Sequence, residues 1–300
     1  MTRNPFHLVD VFAERRYAGN QLAVVEDGAS LSDEEMLDIA REMNYSETTF
    51  VEGDAPNDDG AWSVRIFTPK SEIPFAGHPT LGTAAVLRER FDAGDEVVLD
   101  LPVGHIPVEV RGDGDRETYW MTQNAPEFGA ELDHARLARV LGIDESSLDH
   151  DWPVQVVSTG LPAVLVPLTD RDALGRISID RPAYDSLLSD TGVENVFPFC
   201  ADPREDDHHL AARMFSPGYS VPEDPATGSA NGCLAGYLAN YEYFGESEIA
   251  VSVEQGYEMG RPSVLHLEAE AGGGDGGDDE EEIAVRVGGR VAFVAEGSLL

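Results

Sequence analysis

Three titratable side chains stand in contexts that suit proton transfer: Glu47, His78 and Asp224. Glu47 lies in Tyr45-Ser46-Glu47-Thr48-Thr49-Phe50, where a predicted helix gives way to a predicted strand. A carboxylate in a partly apolar pocket is a competent acid and base near neutral pH. An exposed edge-strand glutamate is the simpler alternative, and the residues alone leave both open. His78 and Asp224 each sit in a turn rich in Gly and Pro that runs into a helix: Phe75-Ala76-Gly77-His78-Pro79-Thr80-Leu81-Gly82 and Glu223-Asp224-Pro225-Ala226-Thr227-Gly228-Ser229-Ala230. His78 is also readable as a capping or structural histidine. Asp224 is readable as a plain N-cap, and Ser229 as a first-turn serine with no part in chemistry.

The turns themselves have a chemical use. Proline suits the first turn of a helix, because its missing N–H would be unsatisfied there anyway. The free backbone N–H groups at a helix N-terminus, reinforced by the helix dipole, attract anions. If the two halves of the chain face one another, two such ends bracket one cleft suited to a small carboxylate or a developing enolate. A proton-transfer site in that cleft needs groups that both take and give a proton near neutral pH, for which Glu47, His78 and Asp224 are the titratable candidates. A non-enzymatic binding protein on the same scaffold and a two-base, non-thiol epimerase remain as alternatives.

The elements that must position these groups follow from pattern. Pro5–Phe12 and Gln21–Val25 read as strands around the Gly19-Asn20 turn. Ser32 with Glu35 three residues on is a capping box that opens a helix to about Met43. Strands are expected at Glu47–Glu52 and Trp62–Thr68, a helix at Pro79–Phe91, and further strands to about Met121 around Gly112-Asp113-Gly114. The second half repeats this order. Helices are expected at Asp133–Leu141, from Asp180 to about Leu188, and at Thr227–Tyr241. Strands are expected at Val154–Ser158, Ala163–Pro167, Asn195–Cys200 and Leu210–Phe215, and again after the last helix. The repeat is visible in residues: Arg65-Ile66-Phe67-Thr68-Pro69 matches Arg213-Met214-Phe215-Ser216-Pro217. After a two-residue shift, His78-Pro79 aligns with Asp224-Pro225, and Gly82-Thr83-Ala84 with Gly228-Ser229-Ala230. The reading is a duplicated α+β domain, residues 1–125 and 126–300, with the final strand able to pack back on the first.

The same turns, with Gly19-Asn20-Gln21-Leu22-Ala23-Val24-Val25 and Ser46-Glu47-Thr48-Thr49-Phe50, resemble the PhzF family of phenazine-biosynthesis isomerase-like proteins, in order along nearly the whole chain. The resemblance implies a diaminopimelate-epimerase-like α+β fold of two pseudo-symmetric domains. Each would be a mostly antiparallel, barrel-like sheet around a central helix, with the site between them. It implies Glu47, His78, Asp224 and Ser229 as catalytic positions, and Asn20, Ser46, Gly77, Thr227 and Gly228 as substrate-binding ones. It also implies a small, cyclic carboxylate substrate of the dihydro-hydroxyanthranilate type, no cofactor and a homodimer. Gln21 stands where the family pattern has proline, and Ala163 where a bulkier residue is expected after Leu161-Pro162. Related racemases carry a cysteine in each Gly-rich turn. Neither turn has one here, since Cys200 falls in a strand and Cys233 one helical turn after Ser229.

Composition bounds the partners. The 300 residues carry 57 Asp and Glu against 20 Lys and Arg, a net charge of −37, and Lys70 is the only lysine. A surface this acidic repels nucleic acid and anionic membranes. A single lysine without a Gly-Lys-Ser/Thr context excludes a Walker A loop. The acidity reads as adaptation to high salt, where the Debye length falls to about 3 Å at 1 M. Two cysteines make neither a disulfide framework nor a four-ligand zinc site. With no signal-like or membrane-length apolar run, the chain is expected to be cytoplasmic. His208-His209 on one strand would point to opposite faces, so no metal site is assigned. Gly272, Gly274 and Gly277 match a dinucleotide fingerprint only spuriously. Asp278 to Glu282 would repel a pyrophosphate, and Ala271–Glu282 reads as a solvated loop.

Overall fold

A computed structural model describes residues 4–218, 222–272 and 282–300. The loop expected at Ala271–Glu282 falls mostly on 273–281, outside the described residues. The chain divides into two units, Met1–Thr122 with Gly288–Leu300, and Gln123–Val287.

In the first unit β1 (Pro5–Val11) and β2 (Asn20–Val25) pair antiparallel. The capping box of α1 (Asp33–Met43) forms as the sequence predicts: Glu35 N–H donates to Ser32 Oγ, and Ser32 N–H to Glu35 Oε2. β3 (Thr48–Val51) runs parallel to β2, and β4 (Trp62–Phe67) antiparallel to β3. The two-residue β5 (Glu72–Ile73) lies on β4 and leads into α2 (Gly77–Phe91). β6 (Glu96–Leu101), β7 (Gly104–Arg111) and β8 (Thr118–Gln123) form a meander joined to β4.

In the second unit β9 (Glu127–Leu132) is followed by α3 (His134–Leu141), β10 (Val154–Ser158) and β11 (Pro162–Pro167). Next come α4 (Arg171–Arg176), α5 (Arg181–Thr191), β12 (Asn195–Cys200), β13 (Leu210–Ala212), β14 (Met214–Phe215) and β15 (Glu223–Asp224). Then α6 (Gly228–Asn240) precedes β16 (Glu248–Gln255), β17 (Ser263–Ala271) and β18 (Ile283–Gly289). The last strand, β19 (Val291–Ser298), pairs antiparallel with β1.

Each unit is a mostly antiparallel sheet wrapped around one central helix. α2 is buried from His78 to Leu87, and α6 from Ala230 to Ala239. Neither has a polar face, as expected of a helix enclosed on all sides. α2 packs on β1, β2, β3, β6 and β7; α6 packs on β10, β11, β16 and β17. Gly82 makes the first of these contacts close. A Cβ there would stand 2.6 Å from Leu22 and 2.8 Å from Val11. The amphipathic α1 covers the opposite sheet face, placing Met36 and Ala40 against Val25, Phe50 and Phe67. α3 and α5 do the same in the second unit, with Leu137, Leu141, Tyr184 and Leu187 against Val164, Val166 and Val196.

The internal repeat is real, but its frame differs from the one read off the letters. Arg65 grips Glu72 with two hydrogen bonds of 2.8 and 2.7 Å and lies over Phe67. Arg213 grips Glu223 likewise, at 2.8 and 2.9 Å, over Phe215. Phe67 pairs with Glu72, and Phe215 with Glu223. The second turn between these strands is three residues longer than the first. Hence Pro225 corresponds to Pro74, Asp224 to Ile73, Gly228 to Gly77 and Ser229 to His78. Proline recurs often enough in these turns to align in a wrong frame; strand register and helix starts fix the right one.

Candidate active site

The position of Glu47 follows from strand alternation. Glu47 immediately precedes β3, so its side chain shares a face with Thr49. Thr49 faces α2, where its hydroxyl meets that of Thr83 at 2.8 Å. Two residues of strand advance about 6.7 Å and five residues of helix about 7.5 Å. His78 lies on the first turn of α2, a comparable distance along the helix from Thr83. Glu47 Oε2 stands 3.5 Å from His78 Nε2. Both atoms are shielded from solvent, and the Glu47 side chain as a whole is 18% exposed. The solvated edge-strand alternative for Glu47 is thereby excluded.

Burial governs the histidine. Desolvation pushes its pKa down to about 3, opposed only in part by a hydrogen bond to the Gln21 backbone. A bond that favours the protonated ring is one donated to a carbonyl. His78 Nε2 has no hydrogen-bond partner, so the donor is Nδ1. The ring is buried, and burial disfavours the imidazolium. Desolvation thus favours the neutral imidazole, whose Nε2 faces Glu47 Oε2. The Gln21 side chain has no part in this, since any residue there offers the same carbonyl. The departure from proline therefore leaves that backbone contact available.

Asn20, the first residue of β2, is buried, while Ser46 and Gly77 are half-buried. Gly77 opens α2, whose N-cap Ala76 supplies no side-chain cap. Thr80 N–H turns back to Ala76 C=O.

The second unit gathers Asp224, Thr227, Gly228 and Ser229 at the start of α6. The N-cap is Thr227, so Asp224 is not the plain cap it could have been. Instead the Asp224 carboxylate accepts a hydrogen bond from the Thr227 hydroxyl. Ser229, half-buried, lies on the first turn, where no side chain caps the helix. Gly228 C=O accepts from Gln123 Nε2 at 3.0 Å. Both thiols are inert structural groups. Burial pushes Cys233 up, and Cys200 up to about 12. His208 and His209 serve different partners, Glu254 at 2.9 Å and Ser252 at 3.1 Å. Among the described residues no His, Cys, Asp and Glu side chains group as metal ligands would.

Sequence reasoning missed Thr49 and Thr83, and the amides of Gln255 and Asn231 behind the α6 turn. Polar residues inside apolar runs were the only available signal.

A sheet closes around a central helix in each unit, and in the first an acid and an imidazole meet at the helix start. The chain belongs to the phenazine biosynthesis-like (PhzC-PhzF) family, which matches residues 9–297. It is 38% identical over 291 residues to the trans-2,3-dihydro-3-hydroxyanthranilate isomerase of Pseudomonas aeruginosa, covering 97% of each chain. The crystal structure of a Bacillus anthracis phenazine biosynthesis protein of the PhzF family superposes with a TM-score of 0.89 at 27% identity, over 100% of both chains. A hydroxyproline epimerase from Agrobacterium vitis shares the fold at a TM-score of 0.59 and 12% identity, over 99% of this chain and 92% of that one. The chain is an enzyme, an isomerase of this family.

Proposed function

We propose that the protein is a cofactor-independent isomerase that moves a proton between two carbons of a small, cyclic, unsaturated carboxylic acid. The acid is of the trans-2,3-dihydro-3-hydroxyanthranilate type. The observation that carries this reading is the shielded contact between Glu47 Oε2 and the neutral imidazole of His78. Glu47 takes the proton from one carbon, leaving a delocalised anion, and returns it to another. The substrate's oxidation level is unchanged, so the step needs no electron carrier. While Glu47 holds the proton, His78 Nε2 accepts a hydrogen bond from it. His78 does not take the proton away, because burial keeps the ring neutral. Asp224 and Ser229, with the uncapped N–H groups at the start of α6, are assigned to holding and protonating the anionic groups of the substrate. Asn20, Ser46, Gly77, Thr227 and Gly228 are assigned to binding.

The test is deuterium incorporation. In D2O the wild type should place solvent deuterium on a carbon of trans-2,3-dihydro-3-hydroxyanthranilate in the turnovers in which the proton held by Glu47 exchanges before it is returned. Glu47→Gln should abolish that incorporation while changing Kd by less than about threefold, since the amide keeps the shape and a hydrogen bond. Exchange at the wild-type rate in Glu47→Gln would remove Glu47 as the base.

A further inference from the structure

The turn that carries Asp224 is held from behind by a buried amide, that of Gln255. Gln255 ends β16 and is 1% exposed. Its Nε2 donates to Asp224 C=O at 2.8 Å and to Thr227 Oγ1 at 3.2 Å. Its Oε1 accepts from Thr227 N–H at 3.2 Å and from Asn231 Nδ2 at 3.0 Å. All four hydrogen-bonding positions of the amide are therefore used. The partners also fix its orientation, because a flipped amide would turn its N–H groups against those of Thr227 and Asn231. Asn231 completes the bracket, donating to Thr227 C=O at 3.0 Å. Its own Oδ1 is fully buried without a hydrogen-bond partner. An unsatisfied buried acceptor is costly and persists only where the other contacts dictate the side chain's place. The next residue tightens the fit. Gly256 has a φ of +76°, and a Cβ there would stand 2.5 Å from Pro225 C=O.

We infer that Gln255 is a positioning residue that acts on the reaction through Asp224. A threonine hydroxyl has one hydrogen to give. With Gln255 Nε2 donating to Thr227 Oγ1, that hydrogen is directed onto the Asp224 carboxylate, where the bond is found. Gln255 thus sets the direction of the Thr227 hydroxyl and, through it, the rotamer of Asp224. It also holds the Asp224 backbone and the N-cap amide that opens α6. The catalytic contribution of Gln255 rests on the function proposed above; its structural part does not.

The experiment uses the full chain and trans-2,3-dihydro-3-hydroxyanthranilate as probe, with wild type and Glu47→Gln as reference. Gln255→Leu should lower kcat about 10- to 100-fold, as a misplacement of about 1 Å does, with KM within about threefold. In an Asp224→Asn background the same substitution should cost little more, because two residues acting through one group are non-additive. Gln255→Glu should reverse the Thr227 hydroxyl. Its activity relative to wild type should recover as pH falls and the new carboxyl regains a proton to donate. Fully additive losses and no pH-dependent recovery would show a merely structural glutamine and overturn the inference. If the wild type itself turns over no probe, the proposed function fails, and the bracket is decided separately by amide hydrogen exchange. Gln255→Leu should speed exchange at the Thr227 N–H at least about tenfold while leaving amides shared by β16 and β17 unchanged. Equal protection of Thr227 in both proteins would overturn the inference whatever the activity.

Discussion

At the scale of single residues the chemistry turns on which side chains are denied water. Glutamate, histidine and aspartate were singled out as candidates by their neighbours and by a family resemblance; their protonation states were not legible, because desolvation depends on what packs over them. His78 shows the difference. Its letter admits a capping, structural or catalytic reading, whereas its enclosure fixes a neutral ring with a pKa of about 3. That value has a consequence for stability. In the unfolded chain the same histidine titrates near its ordinary 6.5. Between the two values the unfolded state binds a proton that the folded state refuses, so lowering the pH favours unfolding by up to about 1.4 kcal/mol per pH unit. The contribution is fully present above the unfolded value and declines as the pH falls below it. Urea unfolding of wild type and His78→Gln from about pH 8 to about pH 4.5 should show the wild type losing more stability than the variant. Parallel curves would mean that His78 is charged, or exposed, in the native state. The carboxylates common to both proteins cancel in the comparison.

At the scale of elements, β3 and α2 act as a matched pair of rulers. The Thr49–Thr83 hydroxyl contact is the pin that keeps them in register. Thr83→Val keeps the shape and removes the hydroxyl, leaving Thr49 Oγ1 buried with its partner gone, at a cost of about 1–3 kcal/mol. The slip this allows at Glu47 should lower kcat about 10- to 100-fold, whereas Thr83→Ser should restore it. Steady-state kinetics beside thermal unfolding separates the two effects, and a valine variant with full kcat would deny the pin its role. The elements themselves were largely legible. The capping box, the two enclosed helices and strands such as β12 carry their signals locally, in caps and apolar runs. What was missed had weak local signals. β9 is exposed along nearly all its length, so it shows no alternation, and α4 buries only Ala173 and Leu174. The run read as one strand from Leu210 to Phe215 breaks at Arg213, which turns its N–H to Pro198 C=O and its guanidinium to Glu223. The repeat frame failed for the same reason: three added residues in one turn are invisible to a match of prolines, while Arg65–Glu72 and Arg213–Glu223 mark the equivalence in space.

At the scale of the whole molecule the net charge of −37 sets the terms on which an acidic substrate is met. Lys70 is the only lysine, and arginines are tied to carboxylates in pairs such as Arg65–Glu72, Arg136–Asp190 and Arg204–Glu258. Surface pairs of this kind contribute about 0–1 kcal/mol each and weaken with salt. Acting against them is the mutual repulsion of the unmatched carboxylates. Screening shortens its reach from about 8 Å at 0.15 M salt to about 3 Å at 1 M. With 57 acidic residues and 20 basic ones, repulsive pairs outnumber attractive ones, so the balance favours stabilisation by salt. The unfolding midpoint should therefore rise between about 0.1 M and 2 M KCl. The same field acts on catalysis through encounter alone. On the proposed function, an anionic substrate approaches a like-charged surface and is then held by the N–H groups at the start of α6, which salt would screen poorly. KM for trans-2,3-dihydro-3-hydroxyanthranilate should fall as KCl rises, with kcat unchanged once the fold is saturated. Titrating salt under steady-state conditions, with unfolding followed in the same buffers, distinguishes the two terms. A KM that rises with salt would place the binding energy in exposed arginines rather than in shielded helix ends, and a midpoint that stays flat would detach the acidity from salt altogether.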